Sequence, residues 1–216
     1  MAERLRGDLL EKKLVDLVVG PDEYRSVPEL VGRAYTGEKG IAVKLSRVET
    51  YDDILPLRTD GISAWVSIMR GCDKFCTFCV VPFTRGRERS RAMGSVVDEL
   101  KILWDSGFKE VTLLGQNVNS YKSSCGADFG KLLTALCEDT DLLRVRYTSP
   151  HPKDFDQNLI DISQKYRAKI MDYIHLPAQS GNTEVLQRMN RNYTREEYFE
   201  KVEMIKAGIP GVVLST

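Results

Sequence analysis

The chain has 216 residues, 31 Lys and Arg against 31 Asp and Glu, no net charge and 42% hydrophobic residues, which is globular composition and excludes disorder as a whole-chain description. Uncharged stretches such as residues 62–69 and 75–84 fall short of the roughly 20 apolar residues of a membrane helix, and the charged first residues carry no apolar signal core, so the cytosol is the expected location. Neutrality leaves only local patches to argue for a nucleic-acid partner, while five cysteines, an odd number, favour thiol or metal chemistry over a disulfide scaffold.

In chain order, residues 3–12 read as a short helix, 15–19 as an apolar run closed by Gly20-Pro21, and 22–35 as a second helix broken by Thr36-Gly37-Glu38-Lys39-Gly40. The stretch to Asp60, with Pro56 and no helical period, reads as a linker or a pair of edge strands. Strands are expected at 62–69, 110–114, 142–148, 170–176 and 212–215. Between them, Val96, Val97, Leu100, Leu103 and Trp104 fall at helical spacing behind a Ser95 cap, with Gly107 as the stop. Phe155, Leu159, Ile162 and Tyr166 make another single-stripe helix, and Thr194 with Glu197 predicts a capping box opening a helix that Gly208 closes. Strand and helix alternating at this pitch specify a parallel, helix-covered sheet with its chemistry at the carboxyl ends of the strands. The end at Thr216, with no helix to cover the last strand, reads as a chain cut in mid-domain.

The first of these strands runs into Cys72, Cys76 and Cys79, a Cys-x3-Cys-x2-Cys loop. Three thiolates in one short loop can wrap three irons of a cubane cluster and leave the fourth iron without a protein ligand, an open position where chemistry can occur. A zinc site is the competing reading, but the remaining candidates, Cys125, Cys137, His151 and His175, are not paired at ligand spacing. Unmetalled core thiols are a third, opposed by polar Asp73, Lys74 and Thr77 in the loop.

The string 69–91, MRGCDKFCTFCVVPFTRGRERSR, together with TLLGQNV at 112–118, TSPHP at 148–152 and HLPAQSG at 175–181, resembles the radical S-adenosylmethionine (SAM) enzymes, and within them the tRNA methylthiotransferase family. The resemblance runs from about Ile62 to the end, and residues 1–5 are similar to the stretch just after the last cysteine of that family's N-terminal domain. It implies an α/β fold, a partial parallel (βα) TIM-like barrel truncated after the fifth strand. Residues 1–36 would be the remnant of an N-terminal α/β domain, 37–60 a linker and 61–216 the radical SAM core. It also implies a 4Fe–4S cluster on Cys72, Cys76 and Cys79, with SAM chelated at the unique iron and cleaved to methionine and a 5'-deoxyadenosyl radical. The reaction implied is 2-methylthiolation of N6-isopentenyladenosine beside the tRNA anticodon, with tRNA and a flavodoxin- or ferredoxin-type reductant as partners and a monomeric state. The family's second cluster, on three N-terminal cysteines, has no counterpart in this sequence, so the chain is expected to hold one cluster and to fall short of full methylthiolation alone.

Other residues carry weaker signals. Gly115, Gln116 and Asn117 follow the second strand of the core, where a glycine admits a ligand closely and two amides suit ribose hydroxyls or an adenine edge; a plain strand-to-loop turn is the alternative. With the resemblance they are expected to face SAM, as are Phe78, Gln179 and Arg191, the last as a partner of the SAM carboxylate. Arg85, Arg87, Arg89 and Arg91 alternate along the chain, which in an extended segment puts four guanidiniums on one face suited to phosphates, against a solvated charged loop as the alternative. His151 and His175 read as satisfied polar residues at strand ends, Cys125 and Cys137 as incidental, Trp65 and Trp104 as core, and no side chain is singled out for proton transfer. A methylthiotransferase acting on threonylcarbamoyladenosine or on a ribosomal protein, and a non-catalytic metal-binding RNA module, are the rival functions.

Overall fold

The computed structural model describes residues 2–59 and 61–216; Met1, and Asp60 at the end of the expected linker, lie outside the described residues. The chain opens with α1 (Ala2–Glu11), β1 (Leu17–Val19), a 3-10 turn (Tyr24–Ser26), α2 (Val27–Tyr35) and β2 (Gly40–Ala42). α2 starts only at Val27, with Pro28 in its first turn where a missing N–H costs nothing, so the helix expected over 22–35 is shorter than read. β1 and β2 pair in parallel, and the segment expected to be a linker therefore contributes a strand before running on as a strap through residues 46–53.

The strap is fastened to the larger, C-terminal part of the chain. β3 (Ser63–Ser67), β4 (Met69–Arg70), α3 (Val81–Thr84), β5 (Arg89–Ser90), α4 (Met93–Asp105), β6 (Glu110–Leu114), α5 (Phe129–Glu138), β7 (Arg144–Tyr147), α6 (Gln157–Lys165), β8 (Tyr173–His175), α7 (Thr183–Arg188), α8 (Arg195–Gly208) and β9 (Val213–Ser215) make up that part. β3, β6 and β7 pair in parallel in that order, β8 pairs in parallel with β9, and a parallel bridge between Val145 and Ile170 joins the two groups. The order across the sheet is thus the order along the chain. α4 packs on α5, α5 on α6 and α6 on α8, one helical layer on one face. Sequential strands under a single layer form an open (βα) barrel-type sheet, since a doubly wound sheet would reverse its order and cover both faces.

Leu100 and Leu103 of α4, Val111 and Leu113 of β6, Leu132, Leu133 and Leu136 of α5, Val145 of β7 and Ile160 of α6 are buried between sheet and helices, each contributing about 1.5–3 kcal/mol of burial. β3 buries Ala64 and Val66 there, and alternation sends Trp65 to the other face, where it is 62% exposed. The expectation of a core Trp65 is corrected by that pleat; Trp104 does pack against the core, with the Lys109 ammonium over its ring. Beside Trp65 the uncovered face carries polar pairs: Arg146 pairs with Glu110 at 3.0 Å, and Ser215 bonds both Tyr173 and His175.

Helix ends follow local chemistry. Ser95 does not cap α4, which begins two residues earlier; its hydroxyl donates back to the Ala92 carbonyl. Asp128 and Asp156 cap α5 and α6, and the Thr194–Glu197 capping box is present in both halves.

Candidate cluster and cofactor site

β4 and β5 pair antiparallel, and between them the chain loops out through residues 71–80 and α3, placing Cys72, Cys76 and Cys79 at the carboxyl end of the sheet. Gly71 opens the loop with φ +74°, and a Cβ there would stand 2.0 Å from the Arg87 carbonyl oxygen, so glycine alone lets the two backbones touch. The contact is used at once: the Cys72 N–H donates to the Gly86 carbonyl at 3.2 Å.

The loop after β7, braced by the one after β6, and the turn after α7 hold the cysteine loop from the other side. After β6, Asn117 donates to Asp154 at 2.7 Å. After β7, Asp154 takes the Lys74 ammonium at 2.6 Å. After α7, the Met189 carbonyl accepts from the Thr77 N–H, the Arg188 carbonyl from the Thr77 hydroxyl, and Asn190 donates to the carbonyls of Lys74 and Phe75. Arg191 reaches furthest, its Nη1 donating to Cys76 Sγ at 3.3 Å while Nε donates to the Tyr193 hydroxyl. Burial works against the Asp154 carboxylate, but the Asn117 and Lys74 hydrogen bonds hold its pKa below the usual range.

Cys72 and Cys76 are buried and Cys79 partly so, all three as free thiols. Burial pushes the Cys72 thiol up, and the Cys79 N–H donates to the Cys76 carbonyl at 2.9 Å, turning the loop back on itself. Among the described residues no three His, Cys, Asp or Glu converge as ligands of a single ion. Three thiols of one loop, near each other but not on one centre, fit a multi-iron cluster with one thiolate per iron.

The other expected site residues divide. Asn117 is buried with Oδ1 unpartnered, as is Gln116 Oε1, so two amide oxygens at the strand end are open to a donor. Gly115 is explained without a ligand, since a Cβ there would stand 2.7 Å from the Met69 side chain. Phe78 and Gln179 are exposed, Gln179 in a left-handed conformation at φ +67°. The four arginines do not share a face. Arg85 and Arg87 are exposed, with Arg87 on Asp73 at 2.7 Å; Arg89 is buried on Asp22 at 2.8 Å, and Arg91 on Glu99 at 2.5 Å. β5 spans only two residues and its alternate side chains turn inward to fill the seam with the strap, which removes Arg89 from any phosphate-binding surface. Lys74, Asp154 and Asn190 were not singled out by the sequence; Asp154 stands two residues past the 148–152 motif, and only a carboxylate near a strand's carboxyl end could have drawn attention to it.

His151 is satisfied: its Nδ1 accepts the Lys153 N–H, so the ring proton sits on Nε2, and it packs edge-on against Tyr193. Burial and the Arg191 charge hold its pKa down to about 4 from 6.5. A histidine kept neutral by folding destabilises the fold wherever the unfolded chain is protonated and the folded one is not. Stability is therefore complete above about pH 6.5 and declines as the pH falls toward about 4, by up to about 3 kcal/mol. In urea denaturation at pH 7.5 and 4.5, His151→Gln is expected to show a smaller acid loss than the unsubstituted chain; equal losses would refute the assignment.

Residues 66–216 match the Radical SAM superfamily. The chain belongs to that family. Membership brings a 4Fe–4S cluster and SAM as its cofactors. Over its whole length this radical SAM chain is 52% identical to the tRNA-2-methylthio-N(6)-dimethylallyladenosine synthase of Chloroherpeton thalassium, covering 48% of that protein, and 48% identical to the CDK5RAP1-like protein of Caenorhabditis elegans, covering 45%. It spans about half the length of the curated relatives it matches. Among solved structures, the radical SAM methyltransferase TsrM from Kitasatospora setae, with cobalamin and a [4Fe-4S] cluster bound, superposes with a TM-score of 0.53 at 20% identity, over 70% of this chain and 29% of that one, a likeness of fold. Among the described residues no helix is long and apolar enough to cross a membrane.

Proposed function

We propose that this radical SAM chain is the catalytic portion of a tRNA methylthiotransferase that modifies carbon 2 of N6-isopentenyladenosine beside the anticodon. The observation that carries the reading is a conjunction: curated relatives of that name are about half identical over nearly the whole chain, and the same chain holds three neighbouring thiols at the carboxyl ends of parallel strands. Cys72, Cys76 and Cys79 would each hold one iron. A cluster held there would supply the one-electron reduction that opens SAM to radical chemistry at the target carbon. Gln116 and Asn117 offer the two unpartnered amide oxygens to SAM hydroxyls or its amine, with Phe78 and Gln179 flanking the same mouth. Gly115 serves by admitting Met69, which seats the strand that leads into the loop. Arg85 and Arg87, beside the loop and in solvent, are the phosphate-facing pair for tRNA. A flavodoxin- or ferredoxin-type reductant, a monomer and a cytosolic setting complete the reading.

Anaerobic reconstitution tests it. About four irons per chain and SAM-dependent 5'-deoxyadenosine are expected; zinc without SAM cleavage would overturn the radical reading in favour of a metal-binding RNA module. Mass spectrometry of nucleosides from tRNA bearing isopentenyladenosine or threonylcarbamoyladenosine then decides between the two tRNA branches.

A further inference from the structure

Among the described residues three arginines are buried, Arg89, Arg91 and Arg191. A guanidinium out of water requires a counter-charge. Arg89 has Asp22 and Arg91 has Glu99. Among the described residues Arg191 has no carboxylate within ion-pair distance; its Nη1 donates to Cys76 Sγ, its Nε to the Tyr193 hydroxyl, and its face lies over the Tyr193 ring. The neighbouring His151 is held neutral, and the Lys74 charge is taken by Asp154. The one described side chain positioned to balance Arg191 is Cys76, through its sulfur as an iron ligand.

We propose that Arg191 is the counter-charge of the cluster, a positioning residue that sets its reduction potential through the N–H···S bond to Cys76. An added electron raises the negative charge on the cluster and its thiolates; a fixed positive charge and a hydrogen bond to one sulfur stabilise that reduced form more than the oxidised form. The potential is therefore held higher, and the cluster is easier to reduce, than three bare cysteines would make it. The partner of the guanidinium is itself anchored, Tyr193 donating to the Ala178 carbonyl at 2.9 Å and standing edge-on to His151. The role of Arg191 rests on Cys72, Cys76 and Cys79 holding the cluster.

The test is EPR-monitored potentiometry of the anaerobically reconstituted protein, comparing the unsubstituted chain with Arg191→Lys and Arg191→Gln, with SAM affinity measured alongside by equilibrium binding. The midpoint is expected to move to more negative potential in both variants, further in Gln, which loses the charge, than in Lys, which keeps it. If Arg191→Gln holds no cluster, the Lys variant alone decides, with a negative shift supporting the role. Midpoints unchanged in variants that retain about four irons would overturn it. An unchanged midpoint with weakened SAM binding would also overturn it and return Arg191 to the SAM carboxylate. Failure of the unsubstituted protein to take up iron would sink the cluster reading itself, a separate outcome.

Discussion

Cys76→Ala is expected to strip the reconstituted protein of its cluster, with iron falling from about four atoms per chain to near none and the visible absorption of the iron–sulfur chromophore lost with it. SAM-dependent 5'-deoxyadenosine should disappear together with the iron. Cys76 is the strongest of the three positions for this experiment because its sulfur is the one that takes the Arg191 hydrogen bond; its removal leaves a buried guanidinium without a balancing anion as well as an iron without a ligand. The same substitution at Cys137 is the control. That thiol lies in the core of the helical layer, pushed up to about 11 by burial, and its loss should leave iron content unchanged. Full iron retention in Cys76→Ala would end the cluster assignment.

Arg89→Met should be the most destabilising of the arginine substitutions. The Arg89 guanidinium reaches both oxygens of Asp22 and the carbonyls of Ser46, Glu49, Arg85 and Arg87, so it joins the first unit, the strap and the return arm of the cysteine loop at one point. The Asp22 side chain is fully buried. Removing Arg89 leaves the buried carboxylate only the Ser46 N–H and the Arg70 guanidinium 3.9 Å away, a loss of about 3 kcal/mol and a fall in Tm on the order of 10 °C for a chain of this size. Asp22→Leu combined with Arg89→Met removes both charges and should recover part of the loss. A double variant no more stable than Arg89→Met would show that the carbonyl bonds, and not the ion pair, carry the energy. The effect should reach the cysteine loop, because the Gly86 carbonyl that receives Cys72 lies between two of the carbonyls that Arg89 holds.

Much of this was legible in the sequence because its signals were local. Strand 110–114 coincides with β6, the capping box at Thr194 and Glu197 formed as spaced, and the cysteine loop lay where strand chemistry puts it. The strands expected at 142–148 and 170–176 are shorter in the structure, with Ile170 tied to Val145 only by an isolated bridge ahead of β8. Trp65 and the arginine series departed for different reasons. Period-two patterning tells which residues lie on the same side of a strand but not which side is covered, which misplaced Trp65; the arginines lose a common face because only residues 89–90 of their segment form a strand, and Arg89 and Arg91 turn toward carboxylates at positions 22 and 99 that no spacing rule connects to them. The partners of Thr77 and Asn190 were hidden because backbone carbonyls carry no sequence identity, and Asp154, the partner of Lys74, because it lies 80 residues away.

The sequential winding of the sheet has a kinetic side. Neighbouring βα units touch neighbours, so each parallel strand pair closes over no more than one such unit, as between Ser63 and Glu110. The cysteine loop is the exception. Its ties reach Asp154, Arg188 and Arg191, separated along the chain from their partners in the loop by 80, 111 and 115 residues. Those closures bear the greatest entropic penalty and come after the sheet that presents them, so the loop becomes fixed late, and iron meets a nearly finished scaffold.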